Sequence, residues 1–580
     1  MEKSAIYHIS EHSYAYPVNN DTLIVRLKTK KNDVDKIVIH YKNLYDHSSN
    51  SKKAVMSKVL SARYCDLFEA SLHIQERRFK YCFQIFSKGE NIFFTSEGFM
   101  KAPADEDFFY YPCINEDDIF HLPKWAQGEV IYQVFVDRFF RSDRAPDYPD
   151  LRSWNMLPEK EMLNCGGFRG LVRKDTYYGG DLAGVTEKLD YISNLGAKVL
   201  YLNPIFAAES YHKYDVTDYF RIDSRFGTLH DLKELVEEAH ARGMKVVLDG
   251  VFNHCSYANE LFQDVVRNQE KSKYKDWFHI RSFPVNEERK DYDSFGNVAP
   301  SMPRLNTSNQ EVIDYVIDLT TYWTKTLNLD GWRFDVADEV SHELWVQLRR
   351  SLKKISPEII LIGEVWNNAS RWLQGNEMDT VTNYKFRKAL LKFMQKHRNA
   401  NIFWEALSSN NMLYKSPVYN YLINLVGSHD TTRCRTLLGS AELHVLAMVV
   451  TLSFQGMPLI YYGDELAIEG GFDPDNRRPM QWNEISNPWA KIIGQITRFR
   501  SESEILKKGS LVPFDSGNPE VISFTREYEG KRIHLVANFG DSNARVVIPG
   551  GVNEIILGQA EDHDSGTLEV GFRKFALISS

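Results

Sequence analysis

Four short segments of the sequence carry acids, histidines or arginine at spacings that could break a covalent bond. They are Asp249-Gly-Val-Phe-Asn253-His254, Gly331-Trp-Arg333-Phe-Asp335, Gly363-Glu364-Val-Trp366 and Gly427-Ser-His429-Asp430. Each lies at the end of an apolar run of strand type. Alternate residues of a strand share a face, so Arg333 and Asp335 point the same way. A cation beside Asp335 holds it ionised, as a nucleophile must be. Glu364 needs the opposite, burial among other carboxylates, if it is to keep a proton and donate it. Two carboxyls tuned in this way are the minimum equipment for glycoside hydrolysis. One attacks the anomeric carbon and the other protonates the leaving oxygen. Asp430 would then face the oxocarbenium-like transition state, with His254 and His429 donating hydrogen bonds to the same sugar. A lone acid at a strand end is ordinarily a helix cap or a loop ion pair. Four such ends together call for a joint explanation.

The elements that must position these residues are visible in the rhythm of the chain. From about residue 124, strands alternate with helices. Strand candidates fall at 130–135, 199–202, 246–249, 332–335, 359–362, 378–382, 421–425 and 459–462. Between the second and third, Leu232, Leu235, Val236 and Ala239 recur at helical spacing, and Gly243 suits the end of that helix. Eight βα units predict an α/β fold, a (β/α)8 TIM barrel, in which working residues lie at the C-terminal ends of the strands. The stretch 255–308 lacks clear barrel elements and reads as a subdomain inserted after the third strand. Before the barrel, residues 1–122 read as short strands of an antiparallel β-sandwich, and after it residues 505–580 return to a strand rhythm as a C-terminal all-β domain. The predicted domains are therefore 1–122, 123–504 and 505–580.

Composition sets the surroundings. The chain is 43% hydrophobic and 26% charged, ordinary values for a globular protein. Aromatics make up 13%, with 30 Tyr and 11 Trp, which fill large cores and can also stack on sugar faces. A formal charge of −8 with no long basic run argues against a nucleic-acid partner. No segment is apolar enough for a signal peptide or a membrane span. The six cysteines, at 65, 82, 113, 165, 255 and 434, lack paired spacing and read as free thiols in a reducing compartment, which predicts a cytoplasmic protein.

The four segments resemble, in order and spacing, the signature regions of the α-amylase family, glycoside hydrolase family 13. The resemblance implies a retaining mechanism with Asp335 as nucleophile, Glu364 as acid/base and Asp430 as transition-state stabiliser. It narrows to the neopullulanase, cyclomaltodextrinase and maltogenic amylase group. Met302-Pro-Arg-Leu-Asn306 is similar to that group's Met-Pro-Lys-Leu-Asn, with Arg304 for Lys. Val336-Ala-Asp-Glu-Val340 is similar to its Val-Ala-Asn-Glu-Val, with Asp338 for Asn, and Glu364-Val-Trp366 fits its Glu-x-Trp.

The same resemblance implies further site residues. Tyr177, before Gly179-Gly180-Asp181, matches a sugar-stacking tyrosine, and His212-Lys-Tyr214-Asp215 matches a segment whose histidine touches the reacting sugar. Asp473 and Arg477 match a pair on the non-reducing side, while Trp366 and Glu339 would line the leaving-group side. Many relatives hold a structural calcium through Asn-Gly-Asp-x-x-Asn-Asp and a later Gly-Gly-Asp. Here Asp143, Asp147, Gly179 and Asp181 remain, but Arg141 and Pro146 replace two side-chain ligands, so weak or absent calcium is expected and no cofactor is required. Expected substrates are cyclodextrins, maltodextrins and pullulan, and the N-terminal domain, which looks like a starch-binding module, implies a homodimer. A glucosyltransferase or isomerase on the same scaffold remains the enzymatic alternative. A non-catalytic binding protein would ordinarily have lost one of the three acids.

Overall fold

The computed structural model describes residues 1–48, 50–158, 160–165, 168–173, 176–286, 291–563 and 566–580. The chain divides into two compact units. One is Met1–Leu122 with Asn367–Asp379 and Asn399–Tyr419; the other is Pro123–Trp366, Thr380–Arg398 and Asn420–Ser580.

The second unit is built on eight parallel strands: β1 (Ile131–Val134), β2 (Val199–Leu202), β3 (Lys245–Gly250), β4 (Gly331–Phe334), β5 (Ile360–Gly363), β6 (Thr380–Val381), β7 (Ile423–Leu425) and β8 (Met457–Tyr461). Their order is β6-β5-β4-β3-β2-β1-β8-β7. A parallel bridge between Thr382 and Ile423 joins the two ends, so the sheet closes into the expected barrel. Helices on the outside bury the strands on both faces, which is why they read as near-continuous apolar runs. The helix Leu229–Ala241 shows how sequence enforces this. Thr228 and Asp231 form a capping box at its start, Leu232, Leu235, Val236 and Ala239 face inward, and Gly243 takes φ +68° just beyond its end.

Register decides what the barrel interior holds. Tyr201 on β2 lies opposite Val247 on β3. Asp249 lies opposite Arg333 on β4, and Arg333 opposite Ile362 on β5. With a side-chain period of two, Asp249 stands one inward step above the partner of Tyr201, and Glu364 one inward step above the partner of Arg333.

Between β3 and β4 the chain leaves the barrel through the helix Glu260–Asn268 and the hairpin of Ser294–Phe295 with Ala299–Pro303. It is tied back by bridges from His254 to Arg304 and from Phe278 to Leu305. At the C-terminus a five-stranded and a three-stranded antiparallel sheet enclose Val521, Val536, Val546, Leu568 and Ile578.

The first unit contains two antiparallel sheets, one of four strands and one of six, packed around Leu23, Val25, Leu27, Ile37, Ile39, Leu72, Phe83 and Ile85. It departs from the contiguous partition expected from sequence, because 367–379 and 399–419 belong to it. The reason is buried and specific. Arg26 donates to the carbonyl of Tyr414 at 2.6 Å, Tyr16 Oη lies 2.8 Å from Ser416 Oγ, and Ala62, Leu67 and Met412 form one apolar cluster. Cys65, Cys82, Cys113, Cys255 and Cys434 are free thiols; the side chain of Cys165 lies outside the described residues. No helix among the described residues is long and apolar enough to cross a membrane.

Candidate active site

At the C-terminal mouth of the barrel, one guanidinium organises three acids. Arg333 Nη1 donates to Asp249 Oδ1 at 2.8 Å and to Asp335 Oδ1 at 3.0 Å, while Nη2 lies 2.8 Å from Glu364 Oε2. All four side chains are buried. Glu364 Oε2 also accepts the backbone N–H of Val336 at 3.1 Å. Val336 reaches that position by taking φ +46°, a left-handed conformation that a β-branched residue adopts only at a cost. The residue after Asp335 is thus bent to serve Glu364.

Asp430 completes the group from the end of β7. Its Oδ2 lies 3.0 Å from His429 Nε2, and its Oδ1 lies 3.3 Å from Arg477 Nη2. Gln133 Nε2 approaches His429 Nδ1 at 2.9 Å and donates to Asn203 Oδ1 at 3.0 Å. That arrangement assigns the imidazole proton to Nε2, facing Asp430 and Tyr214. Three rings stack in sequence: His212 on Tyr214, with centroids 5.9 Å apart, and Tyr214 on His429 at 5.3 Å and nearly parallel. Arg477 Nη1 lies 3.1 Å from Asp473 Oδ1 and donates to Tyr211 Oη at 2.9 Å.

Burial pushes Asp249, Asp335, Glu364 and Asp430 upward from the ordinary carboxylate range. Repulsion from neighbouring acids adds to this at Asp335, Glu364 and Asp430, while Arg333 opposes the rise at all four, with Arg477 at Asp430. Carboxyls this close do not titrate independently of one another. Burial lowers His254 to about 4, so it is neutral near pH 7. Its Nε2 is buried with no hydrogen-bond partner among the described residues.

On the other side, the Trp366 indole hydrogen-bonds Glu364 and lies flat on Tyr384, with centroids 3.7 Å apart and 4° between planes, yet Trp366 remains 42% exposed. Arg304 Nη2 donates to the carbonyl of Glu339 at 3.1 Å and approaches its carboxylate at 3.9 Å, so two of the sequence motifs meet through the Arg that replaces Lys.

Tyr177 departs from the stacking role its motif implies. The Arg225 guanidinium lies 3.9 Å and the Lys213 ammonium 5.3 Å from its ring centroid, and its hydroxyl donates to the Glu209 carbonyl at 2.7 Å. It is a packed ring carrying cations. The calcium segment is likewise occupied by protein. Asp181 caps the helix Leu182–Glu187, and its oxygens accept Ser142 N at 2.8 Å, Ser142 Oγ at 2.6 Å and Gly184 N at 3.2 Å. Arg141 donates to Asp147 at 3.0 Å, Asp143 is exposed, and Gly179 N donates to Asp137. Among the described residues no cluster of three or more acidic, His or Cys side chains could hold a metal. These donors do not fit calcium, which needs six to eight free oxygens.

Sequence reasoning missed Gln133, Tyr201, Asn203, Tyr211 and Tyr384, which set the acids and rings in place. All but Tyr211 and Tyr384 lie on or just after barrel strands, and inward alternation was the one signal that could have found them.

Residues 133–491 match the model of the α-amylase catalytic domain, and residues 1–115 that of the α-amylase N-terminal ig-like domain. The chain belongs to the α-amylase family. Within it, the chain is similar to a cyclomaltodextrinase from Thermoanaerobacter pseudethanolicus, 39% identical over 98% of each chain. It is also similar to neopullulanase 2 of Thermoactinomyces vulgaris, 37% identical over 93% of this chain and 91% of that one. A solved cyclomaltodextrinase structure superposes with a TM-score of 0.90 at 32% identity, covering all of both chains. The chain is therefore a glycoside hydrolase of that family, and the acid cluster lies at the mouth of its barrel.

Proposed function

We propose that this chain is a retaining α-glucan hydrolase, cleaving α-1,4 bonds of cyclodextrins, maltodextrins and pullulan with some transfer to sugar acceptors. The observation that carries this reading is the single buried guanidinium held between Asp335 and Glu364, with Asp430 beside them. Asp335 attacks the anomeric carbon while a proton leaves from Glu364 to the glycosidic oxygen. The glycosyl unit is then esterified to Asp335. Glu364, now a base, takes a proton from water, which attacks the anomeric carbon and releases Asp335. A sugar hydroxyl in place of water gives transfer, and the open face of Trp366 offers such an acceptor a stacking surface beside Glu339.

Asp430, His429 and the unpartnered Nε2 of His254 bind hydroxyls of the reacting ring, with His212 and Tyr214 stacked alongside. Asp473 and Arg477 hold the next unit on the non-reducing side. Every proton and electron pair comes from the carboxyls and water, so no cofactor is required, and the occupied oxygens of Asp181 support an enzyme without resident calcium.

Asp335→Asn is expected to lower kcat by several orders of magnitude while substrate binding is largely kept. Glu364→Gln should cost much less on aryl glycosides, whose leaving group needs no proton, than on maltotriose. Equal losses on both substrates would sink the assignment of Glu364 as the acid. We further propose a cytoplasmic homodimer. The free thiols support a reducing compartment, and the exposed Tyr45 and Tyr64 of the first unit support an interface there. Sedimentation of the full chain at monomer mass would contradict the dimer.

A further inference from the structure

Tyr201 belongs to no signature segment and has no part in the chemistry above, yet its phenol reaches the acid cluster. From β2 it donates to Asp249 Oδ2 at 2.6 Å, fully inside the barrel. The register requires it: Tyr201 faces Val247, and the next inward residue along β3 is Asp249. Asp249 Oδ1 takes Arg333 Nη1 at 2.8 Å, whereas Oδ2 takes Tyr201 at 2.6 Å, Tyr214 at 2.9 Å and the same Arg333 Nη1 at 3.1 Å. Tyr214 is a shared partner, because its oxygen also lies 2.6 Å from His429 Nε2 and accepts Asn203 at 3.0 Å. Among the described residues, Asp249 is the only side-chain hydrogen-bond partner of Tyr201.

The consequence falls on Arg333. Its Nη1 is divided between Asp249 and Asp335, and its Nη2 serves Glu364. A buried Asp249 deprived of a proton donor must either draw more of that guanidinium or take up a proton. In both cases Arg333 no longer stands between the other two acids. We propose that Tyr201 is a positioning residue for glycosidic cleavage, its phenol giving Asp249 Oδ2 the shortest of its hydrogen bonds so that Arg333 is not drawn further onto Asp249 and stays shared between Asp335 and Glu364. This rests on the reading of those two acids as the reacting pair.

The groups facing Asp249 define the pH behaviour. They are Arg333 and Asp335 from β4, Glu364 after β5, Tyr214 after β2, and His429 and Asp430 after β7. Burial raises Asp249, while the hydrogen bonds of Arg333 and Tyr201 hold it down. Removing the phenol therefore raises it further. Because Asp249 works as an anion, activity is then lost at a higher pH on the acid side.

The test is Tyr201→Phe in the full chain, with kcat and KM for β-cyclodextrin measured across the pH range. A lost hydrogen bond to a buried charge predicts kcat lower by about tenfold, KM within about twofold, and an acid limb about one unit higher. Tyr191→Phe is the control. It removes a phenol that donates at 2.8 Å to Glu465, away from the acids, and is expected to lower the Tm without moving the limb. If Tyr201→Phe behaves like Tyr191→Phe, the positioning role is overturned. If it does not fold, 3-fluorotyrosine at position 201 keeps the ring and makes the hydroxyl a stronger donor. The limb must then move down, and an unmoved limb overturns the proposal. A wild-type chain that cleaves no α-glucan would overturn the hydrolase reading and this inference with it. Normal cleavage with an unmoved limb overturns this inference alone.

Discussion

Arg333 is one cation among three buried carboxyls, with the half-buried Asp430 beside Arg477, and burial raises the pKa of all four acids. That has a price in stability, and its sign can be worked out at Glu364. Burial raises its pKa in the folded protein above the unfolded value of about 4.3. The stability it contributes is complete below that unfolded value and is lost as pH rises through the folded one. Glu364→Gln removes this loss, so the variant should melt a few degrees above the wild type at pH 7–8, with the difference shrinking toward pH 4 in parallel thermal scans. A variant less stable than the wild type at pH 8 would show that the bonds to Arg333 and Val336 outweigh desolvation. The acids themselves were legible in the sequence, because polar residues closing four apolar runs have no core explanation. Tyr201 was not, since a tyrosine inside an apolar strand reads as packing and only the register shows what its hydroxyl meets. Tyr177 misled for a related reason. A motif fixes the residue, while Arg225 and Lys213, distant from the motif, decide what lies on its ring.

Among the barrel strands, β4 leaves no room for a side chain at Gly331. A Cβ on Gly331 would come within 2.4 Å of Ile360 Cγ2 and 2.9 Å of the Ile360 carbonyl, both on β5. Gly331→Ala should therefore cost about 1–3 kcal/mol, read as a lower Tm. Because β4 carries Arg333 and β5 leads into Glu364, kcat should fall beyond what partial unfolding explains. A fall in Tm with kcat per folded molecule unchanged would refute this. Seven of the barrel strands announce themselves by apolar runs. β6 has only two residues, Thr380 and Val381, too few to show periodicity, and it was found by counting units to eight. The assignment of 399–419 to the N-terminal unit had no local signal at all. It depends on Arg26 reaching the Tyr414 carbonyl across 388 positions of sequence.

For the molecule as a whole, the calcium segment has become part of the protein's own hydrogen bonding. Ser142 and the helix beginning at Leu182 take the oxygens of Asp181 that a cation would need. The expected outcome is a Tm that moves by less than about 1 °C on adding EDTA, since a ligand that binds the native state weakly adds little to its stability. A large drop restored by calcium alone would show that a cation resides there. Closure of the ring has a consequence of its own. Between β6 and β7 the joint is a single main-chain bridge, Thr382 to Ile423 with the Asn383 amide on the Ile423 carbonyl, reinforced by Thr380 Oγ1 on the Tyr421 carbonyl and by the Asn383 side-chain amide on Asn424 Oδ1. Main-chain ladders survive almost any change of residue, but a seam of one bridge that leans on side chains is written in the sequence and can be erased from it. Mutational drift at 380 and 383 is therefore where this ring would first come open, and the aspartate just beyond β7 would be the first of the acids to lose its footing.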